Sequence, residues 1–585
     1  MSAASTLPRR VVGRADAAAA AARAGEHLDL VLAPFTLPRS RLMVFRSGDG
    51  LRVHTSEYER SLEECVAIDA LEVRDGDGAR LAVTRVLPHA IELGDGAVTL
   101  TFAGPHALSL GVAEDREAMV SWTVRAGDEA ESLRIGGRHA ASVAFTVDAD
   151  RGVEFARSDA HAAHLAETRA TWLDWFARCP VVRDDLQDMA AFCWWVLGAN
   201  VVELPQLAGA RAVVPSKIGY VGLWQWDAYF IAVGLRHGDP ELAREQLDLA
   251  LRFPTPEGQL PDVVHEHGVL ASSDDLPASD RENLRRAGSA VADPSAPVPL
   301  TKPPLAAWAL RKVLEADPVG AGTADWARRM VGTVRRSQDW WFAHSDLDGD
   351  GLPEYGHPYS SGLDDSPVFD GPLPTTTPDL AAYLVRQDLE LADLVERFGL
   401  AADPGSGEPV SPAAAASAHR DRAARTLDRL LGLWDGERDR FRSLAAGRPV
   451  ESDTVVGLMP LLTGLLPEAI TERLVAALDD PDRFATPWPV PTVAVGDPDH
   501  SPERMWRGPV WVNTNALVAE GLERSGRAER AGRLAERTVE LVVHAGGPHE
   551  YFDPRTGERA PSATTAFGWS AALFIDLAVA RSRGA

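Results

Sequence analysis

Apolar positions follow two different periods along the chain, and the change falls near residue 158. From about residue 27 to 156, short apolar runs alternate with polar positions, as in Val98, Leu100 and Phe102 around Thr99 and Thr101. The same alternation recurs in Val143, Phe145 and Val147. Three Gly-Asp-Gly triplets, at 48–50, 76–78 and 94–96, punctuate these runs. Glycine accepts positive φ and aspartate hydrogen-bonds the local backbone, so each triplet marks a hairpin turn. Several short strands at this spacing predict a β-sandwich.

From residue 158 the period becomes helical, through Ala163, Leu165, Trp172 and Trp175-Phe176. Beyond this linker helix lie about twelve helix-period segments, near 185–203, 227–237, 239–252, 303–316, 323–344, 378–399, 411–434, 453–464, 467–478, 511–525, 527–545 and 567–581. Leu380, Tyr383, Leu384 and Leu391 exemplify the pattern. Long Pro/Gly/Asp-rich connections separate some of them, notably 253–302, 345–377 and 480–510, and connections of that length commonly carry function. Twelve helices with long loops in alternate connections predict an (α/α)6 toroid. The expected organisation is an N-terminal β-sandwich over 1–157, a linker helix over 158–180 and an (α/α)6 catalytic barrel over 181–585.

The length of 585 residues agrees, being well beyond the roughly 250–300 that one core supports. A net charge of −26 repels phosphate backbones and anionic lipid, which excludes nucleic acid and membrane surfaces as partners. Cys65, Cys179 and Cys193 are too few and too scattered for a disulfide framework or a zinc knuckle. No apolar run reaches the roughly 18–20 residues of a membrane span. The alanine run at 17–22, bracketed by Asp16 and Arg23, is too short for a signal-peptide core and predicts a frayed or helical tail. A cytoplasmic protein is expected. Of the 16 tryptophans, only Trp122 precedes residue 170, so the flat aromatic faces belong to the helical part.

The polar and aromatic residues able to do chemistry gather in the long connections. The segments are Ser216–Asp227, Leu260-Pro-Asp262, Thr301-Lys-Pro-Pro304, Ser361-Gly-Leu-Asp-Asp-Ser-Pro367, Trp506-Arg-Gly-Pro-Val-Trp-Val-Asn513 and His549-Glu-Tyr-Phe-Asp553. Tryptophan faces stack on the C–H surface of a sugar, while Asp, Asn, Arg and Lys bind its hydroxyls. Glycoside cleavage needs one protonated and one ionised carboxyl, about 6.5–9.5 Å apart in an inverting enzyme. Asp364 and Asp365 are the acid candidates and Glu550 the base candidate. His265 and His267 lack a third ligand nearby and do not suggest a metal site. No phosphate loop, serine elbow or dinucleotide fingerprint is present.

In this order the segments resemble the clan of (α/α)6 glycosidases that contains glycoside hydrolase family 63 and the trehalases. The closer likeness is to family 63 and its mannosylglycerate- and glucosylglycerate-hydrolase-like members, over roughly residues 185–580. It rests on Pro215-Ser-Lys217, Leu223-Trp-Gln-Trp-Asp227, Lys302-Pro-Pro304, Ser361-Gly-Leu-Asp364, Trp506–Asn513, Glu550-Tyr-Phe-Asp-Pro-Arg-Thr-Gly557 and Phe567-Gly-Trp-Ser-Ala571. The resemblance implies an inverting exo-acting hydrolase of terminal α-linked sugars, glucose foremost, from a small glucoside or oligosaccharide. Asp364 would be its general acid, Asp365 the second choice, and Glu550 its general base. It implies sugar binding by Trp224, Trp226 and Asp227, with Trp506, Arg507, Trp511, Asn513 and Lys302 as further subsite residues. Relatives often carry Glu where this chain has Ser360, which leaves the sugar preference open. The alternatives are a trehalase-like or glucosylglycerate/mannosylglycerate-type hydrolase of a compatible solute, or a non-catalytic carbohydrate-binding protein on the same scaffold.

The chemistry needs no cofactor. A structural cation is expected at Asp346-Leu-Asp348-Gly-Asp350-Gly-Leu-Pro-Glu354, where three alternating carboxylates and Glu354 can wrap a hard ion with oxygen ligands. His357 at the twelfth position rules out an EF-hand, but some family 63 relatives have a calcium loop of matching spacing.

Overall fold

The computed structural model describes residues 10–124, 128–137, 139–148, 152–276, 297–316, 321–400 and 411–583. The alanine run is not a loose tail. It forms helix α1 (Gly13–Gly25), which buries Ala17, Ala20, Ala21 and Ala24 along one face. Their small side chains let α1 pack closely on α2 (His161–Phe176) and α3 (Gln187–Ala199). Residues 1–9 lie outside the described residues.

Eleven strands follow: β1 Met43–Ser47, β2 Gly50–His54, β3 Val66–Asp75, β4 Val83–Leu87, β5 Ala90–Leu93, β6 Val98–Gly104, β7 Ala107–Val112, β8 Glu117–Thr123, β9 Glu131–Gly136, β10 Ser142–Asp148 and β11 Gly152–Ser158. They form an antiparallel five-stranded sheet, order β1-β2-β3-β8-β9, and a six-stranded one, order β11-β10-β7-β6-β5-β4. The sheets meet face to face through Trp122 on β8, whose ring lies 4.0 Å from Phe155 and 5.9 Å from Phe145. Each Gly-Asp-Gly triplet sits at a turn: Ser47 pairs with Gly50, Arg74 bridges Arg80, and Leu93 pairs with Val98. At the third, Gly94, Asp95 and Gly96 all take positive φ, which explains why glycine flanks the aspartate there. Helix α2 then packs across β6 and β7.

Each helical segment expected beyond residue 180 has a counterpart. After α3 come α4 (Gln225–Leu235), α5 (Pro240–Ala250), α6 (Ala306–Ala316), α7 (Ala321–His344), α8 (Pro378–Phe398), α9 (Pro412–Leu431), a 3₁₀ helix (Val455–Thr463), α10 (Glu468–Ala477), α11 (Val512–Arg524), α12 (Ala528–His544) and α13 (Gly568–Arg583). The segment at 453–464 takes the tighter 3₁₀ form and contains Pro460, which has no backbone N–H to donate. One set of helices packs in succession: α4 on α6, α6 on α8, α8 on the 3₁₀ helix, that helix on α11, α11 on α13, and α13 on α4. A second set flanks it, with α3 on α13, α5 on α4, α7 and α9 on α8, and α12 on α11. The difference is in the residues: α4 is buried at every position, whereas α12 buries one face.

Within the long connection at 253–302, Val263–His265 and Gly268–Leu270 form a hairpin that pairs with Leu223–Trp224, just before α4. Residues 277–296 of that connection lie outside the described residues. Among the described residues, no helix is long and apolar enough to cross a membrane.

Candidate active site

Helices α4, α6, α11 and α13 point their N-terminal ends toward one region, and the segments leading into them close a cavity of about 70 Å³. That volume is well below the ~300–1,000 Å³ typical of small-molecule sites. Trp224, Trp226, Asp227, Lys302, Asp364, Trp506, Trp511 and Glu550, all named from the sequence, line it together. Its interior is a cluster of indoles. Trp506 and Trp511 stack with centroids 3.6 Å apart and planes 6° apart, and Trp569 stands edge-on to Trp226 at 5.3 Å. Trp511 Nε1 donates to the Met505 carbonyl at 2.8 Å, which fixes its ring.

The turn carrying Asp364 is shaped by its neighbours. Gly362 has φ +71, and a Cβ there would lie 2.2 Å from the Trp226 ring, so only glycine fits. Ser361 Oγ donates to the Pro358 carbonyl at 2.6 Å and accepts from the Leu363 N–H at 3.0 Å. Asp364 keeps some accessible surface through the cavity, but its Oδ1 is enclosed and meets no donor. Burial, opposed by Lys302 and helped by Asp365, pushes its pKa up to about 6.

Glu550 lies deeper and is buried. Its Oε2 accepts the Thr564 N–H at 2.9 Å, and its carboxylate accepts the Tyr220 hydroxyl. Burial nevertheless raises its pKa to about 7, with Asp364 adding to the rise. Without substrate the higher value belongs to Glu550, so pKa order alone does not locate the reacting proton. The donors distinguish the two groups: Glu550 has two that favour an ionised carboxylate, and Asp364 Oδ1 has none.

Asp365 turns away from the cavity. It accepts the Trp506 N–H at 2.9 Å and an Arg504 Nε–H at 3.1 Å, tying the Asp364 turn to the Trp506 segment. Lys302 lines the cavity, but its ammonium faces Asp262 at 2.8 Å and donates to the Tyr359 carbonyl. Burial opposes its charge, yet Asp262, Asp364 and Asp227 together raise its pKa. Burial holds Asp227 well above the usual carboxylate range and Asp262 at about 7, both against the pull of Lys302.

Two expected subsite residues do not line the cavity. Arg507 is engaged with Asp370 and lies 3.9 Å from Asp499. Asn513 is buried in the first turn of α11, where its Oδ1 accepts the Thr514 N–H at 2.8 Å. Tyr220, Met505, Phe567 and Trp569 line the cavity without having been selected individually from the sequence. Each stands in or beside a selected segment, but nothing in the local pattern tells a lining aromatic from a core one. Asp262 stands in a segment selected from the sequence, but its pairing with Lys302, forty residues away in sequence, gave no local signal.

Asp346, Asp348 and Asp350 bring carboxylate oxygens within 4.8 Å of one another. Asp346 Oδ1 is buried without a hydrogen-bond partner, as an oxygen awaiting a cation would be. Glu354 turns instead to the Leu347 N–H at 3.2 Å and the Thr376 hydroxyl at 3.4 Å. His265 and His267 join no group of potential ligands among the described residues.

Comparison with known proteins accords with this geometry. Residues 220–570 match the model of the mannosylglycerate hydrolase MGH1-like glycoside hydrolase domain. A mannosylglycerate hydrolase of Thermus thermophilus is 30% identical over 411 residues, covering 62% of this chain and 95% of the relative. A glucosylglycerate hydrolase of Mycolicibacterium hassiacum is 26% identical over 428 residues, covering 61% and 92%. The crystal structure of a family 63 mannosylglycerate hydrolase from Thermus thermophilus, in complex with Tris and D-glycerate, superposes with a TM-score of 0.54 at 26% identity, covering 66% of this chain and 98% of that one. The chain belongs to the mannosylglycerate hydrolase MGH1-like family of glycoside hydrolases.

Proposed function

We propose that this glycoside hydrolase removes one terminal α-linked sugar from a small glycoside of the compatible-solute kind, a glucosyl- or mannosylglycerate or a close relative, with inversion at the anomeric carbon. The observation that carries it is a small tryptophan-lined cavity, buried at its floor and partly exposed on one side, with both carboxyls in its wall. So narrow a site favours a terminal sugar with a compact leaving group over a long chain.

Trp226, Asp227, Trp506, Trp511 and Trp569 form the buried floor, where indole faces and the Asp227 carboxyl fit the terminal sugar. Asp364 is among the partly accessible lining residues, on the open side where a leaving group must depart. It protonates the glycosidic oxygen, which takes up the electron pair of the breaking C–O bond. Glu550 removes a proton from water as that water attacks the anomeric carbon from the opposite face. Lys302 stabilises the carboxylate that Asp364 becomes.

Three further assignments belong to the same proposal. The succession of helix contacts that leaves α4 and returns to it through α13 fits an (α/α)6 toroid. The division into 1–157, 158–180 and 181–585 is supported by the end of β11 at Ser158 and the start of α2 at His161. Calcium at Asp346, Asp348 and Asp350, next to Glu354, would pin the loop that leads to Asp364 and take no part in bond cleavage.

Product NMR on a panel of α-glucosyl- and α-mannosylglycerate, trehalose and malto-oligosaccharides tests the substrate class. Compact glycosides should be consumed fastest; a preference for the longer oligosaccharides contradicts it.

A further inference from the structure

The family match begins at residue 220, so the two-sheet region lies outside it, yet that region touches the site. Tyr58, just beyond β2, stacks on His265 with centroids 4.1 Å apart and planes 4° apart. Its ring lies 6.1 Å from that of Trp224, and a Cβ added at Gly222 would be only 3.0 Å from it. Arg41 forms a mostly buried ion pair with Glu266, at the tip of the hairpin that carries His265, and also donates to the Ser56 carbonyl at 2.8 Å. Ser56 Oγ in turn donates to the Lys217 carbonyl at 2.9 Å. The ladder formed by Leu223–Trp224 and Val263–His265 is therefore held from outside by residues of the N-terminal region.

Position in the cavity gives this contact a consequence. Tyr220, Trp224, Asp364 and Met505 are the lining residues with partial exposure, and the others are buried. A terminal sugar seated on the buried tryptophans must direct its leaving group toward that open side. Trp224 is a wall of it, and the Tyr58 ring packs beside Trp224 with centroids 6.1 Å apart.

Building on the proposed small-glycoside hydrolysis, we propose that Tyr58 is a specificity-determining positioning residue: by holding Trp224 it confines the leaving-group side of the cavity and selects compact, hydroxyl-rich leaving groups. The N-terminal region thus supplies part of the substrate preference. The ring is what matters, because the contacts to His265, Gly222 and Trp224 are all made by its face and edge.

The test compares wild type, Tyr58→Ala and Tyr58→Phe in the full chain, on α-glucosides of methanol, glycerol, glycerate and glucose. In Tyr58→Ala, kcat/KM for the glycerol and glycerate glycosides should fall about tenfold through KM with kcat little changed, as expected for losing an aromatic contact. The disaccharide should fall less or rise, and Tyr58→Phe should keep the wild-type order. An equal fall on all four glycosides, or an unchanged order in Tyr58→Ala, overturns the inference. If wild type cleaves none of the four, nor α-mannosylglycerate, the small-glycoside reading has failed. Tryptophan-fluorescence titration with the same compounds then decides this inference: a changed order of Kd in Tyr58→Ala supports it, and an unchanged order overturns it.

Discussion

The Lys302 ammonium lies 2.8 Å from Asp262 Oδ1, and both side chains are almost wholly withdrawn from water. A buried pair of this kind owes its persistence to mutual compensation, because either charge alone would be costly to bury. Lys302 also pulls down the pKa values of Asp364 and Asp227, so one cation controls three carboxyls around the cavity.

Lys302→Met should destabilise the fold by about 3–5 kcal/mol at alkaline pH, where Asp262, ionised beside Lys302 in the wild type, must either stay buried as an unpaired carboxylate or take up a proton. The loss should shrink below about pH 7, where Asp262 is protonated even beside Lys302. The same variant raises the Asp364 pKa, so the alkaline limb of any remaining activity should move to higher pH. Urea denaturation at pH 5 and pH 8, with a pH–rate profile, checks both effects.

The two catalytic candidates should make the enzyme less stable as pH rises. Asp364 moves from an ordinary 3.8 to about 6 on folding, and Glu550 from 4.5 to about 7. Both folded values are raised, so their stabilising contribution is full below about pH 4 and is lost as pH climbs through about 6–7. Asp364→Asn should therefore exceed wild type in stability at pH 8 by on the order of 2–3 kcal/mol and match it at pH 4, since one pKa unit is about 1.4 kcal/mol. Glu550→Gln should follow the same pattern, less the hydrogen bonds from Tyr220 and Thr564. Thermal melts across this pH range give the answer.

Much of this was legible in the sequence because it depends on local rules. Gly-Asp-Gly turns, alternating apolar positions and helix periods are set by neighbours a few residues apart, and the elements fell where those patterns put them. The motif around Asp364 was legible for the same reason: Gly362 must be glycine to clear Trp226. What stayed hidden is long-range. Arg507 and Asn513 share a segment with Trp506 and Trp511, but side chains on successive positions of a turn or first helical turn point in different directions, so proximity in sequence did not place them in the cavity. The alanine run looked like a tail because its partners, α2 and α3, come more than a hundred residues later. Tyr58 gave no signal, since its aromatic contacts are to residues beyond 220.

Removing one member of the indole stack should weaken sugar binding more than it slows chemistry. Trp506→Ala leaves a cavity beside Trp511 and Trp226 and should cost about 3–5 kcal/mol of stability, as large-to-small core changes do. KM should rise at least tenfold on any substrate turned over, while Trp506→Phe should lose less on both counts. Steady-state kinetics and melting temperature separate the two effects.

The acidic loop should respond to calcium in stability before activity. Added calcium should raise the melting temperature of the wild type after chelator treatment, and Asp346→Asn or Asp348→Asn should abolish the rise, because they remove ligands from the one three-carboxylate group among the described residues. Isothermal titration of the metal alone checks binding directly. Equal melting temperatures with calcium and with chelator would mean that these carboxylates serve only as turn caps.

The most direct test of the central claim follows anomeric products by NMR during hydrolysis of α-glucosylglycerate and α-mannosylglycerate by wild type, Asp364→Asn and Glu550→Gln. Wild type should release the β-anomer first, and each variant should lose at least about 10²–10⁴-fold in rate while remaining folded. Release of the α-anomer first, or near-wild-type turnover by either variant, would contradict the assignment of Asp364 as acid and Glu550 as base.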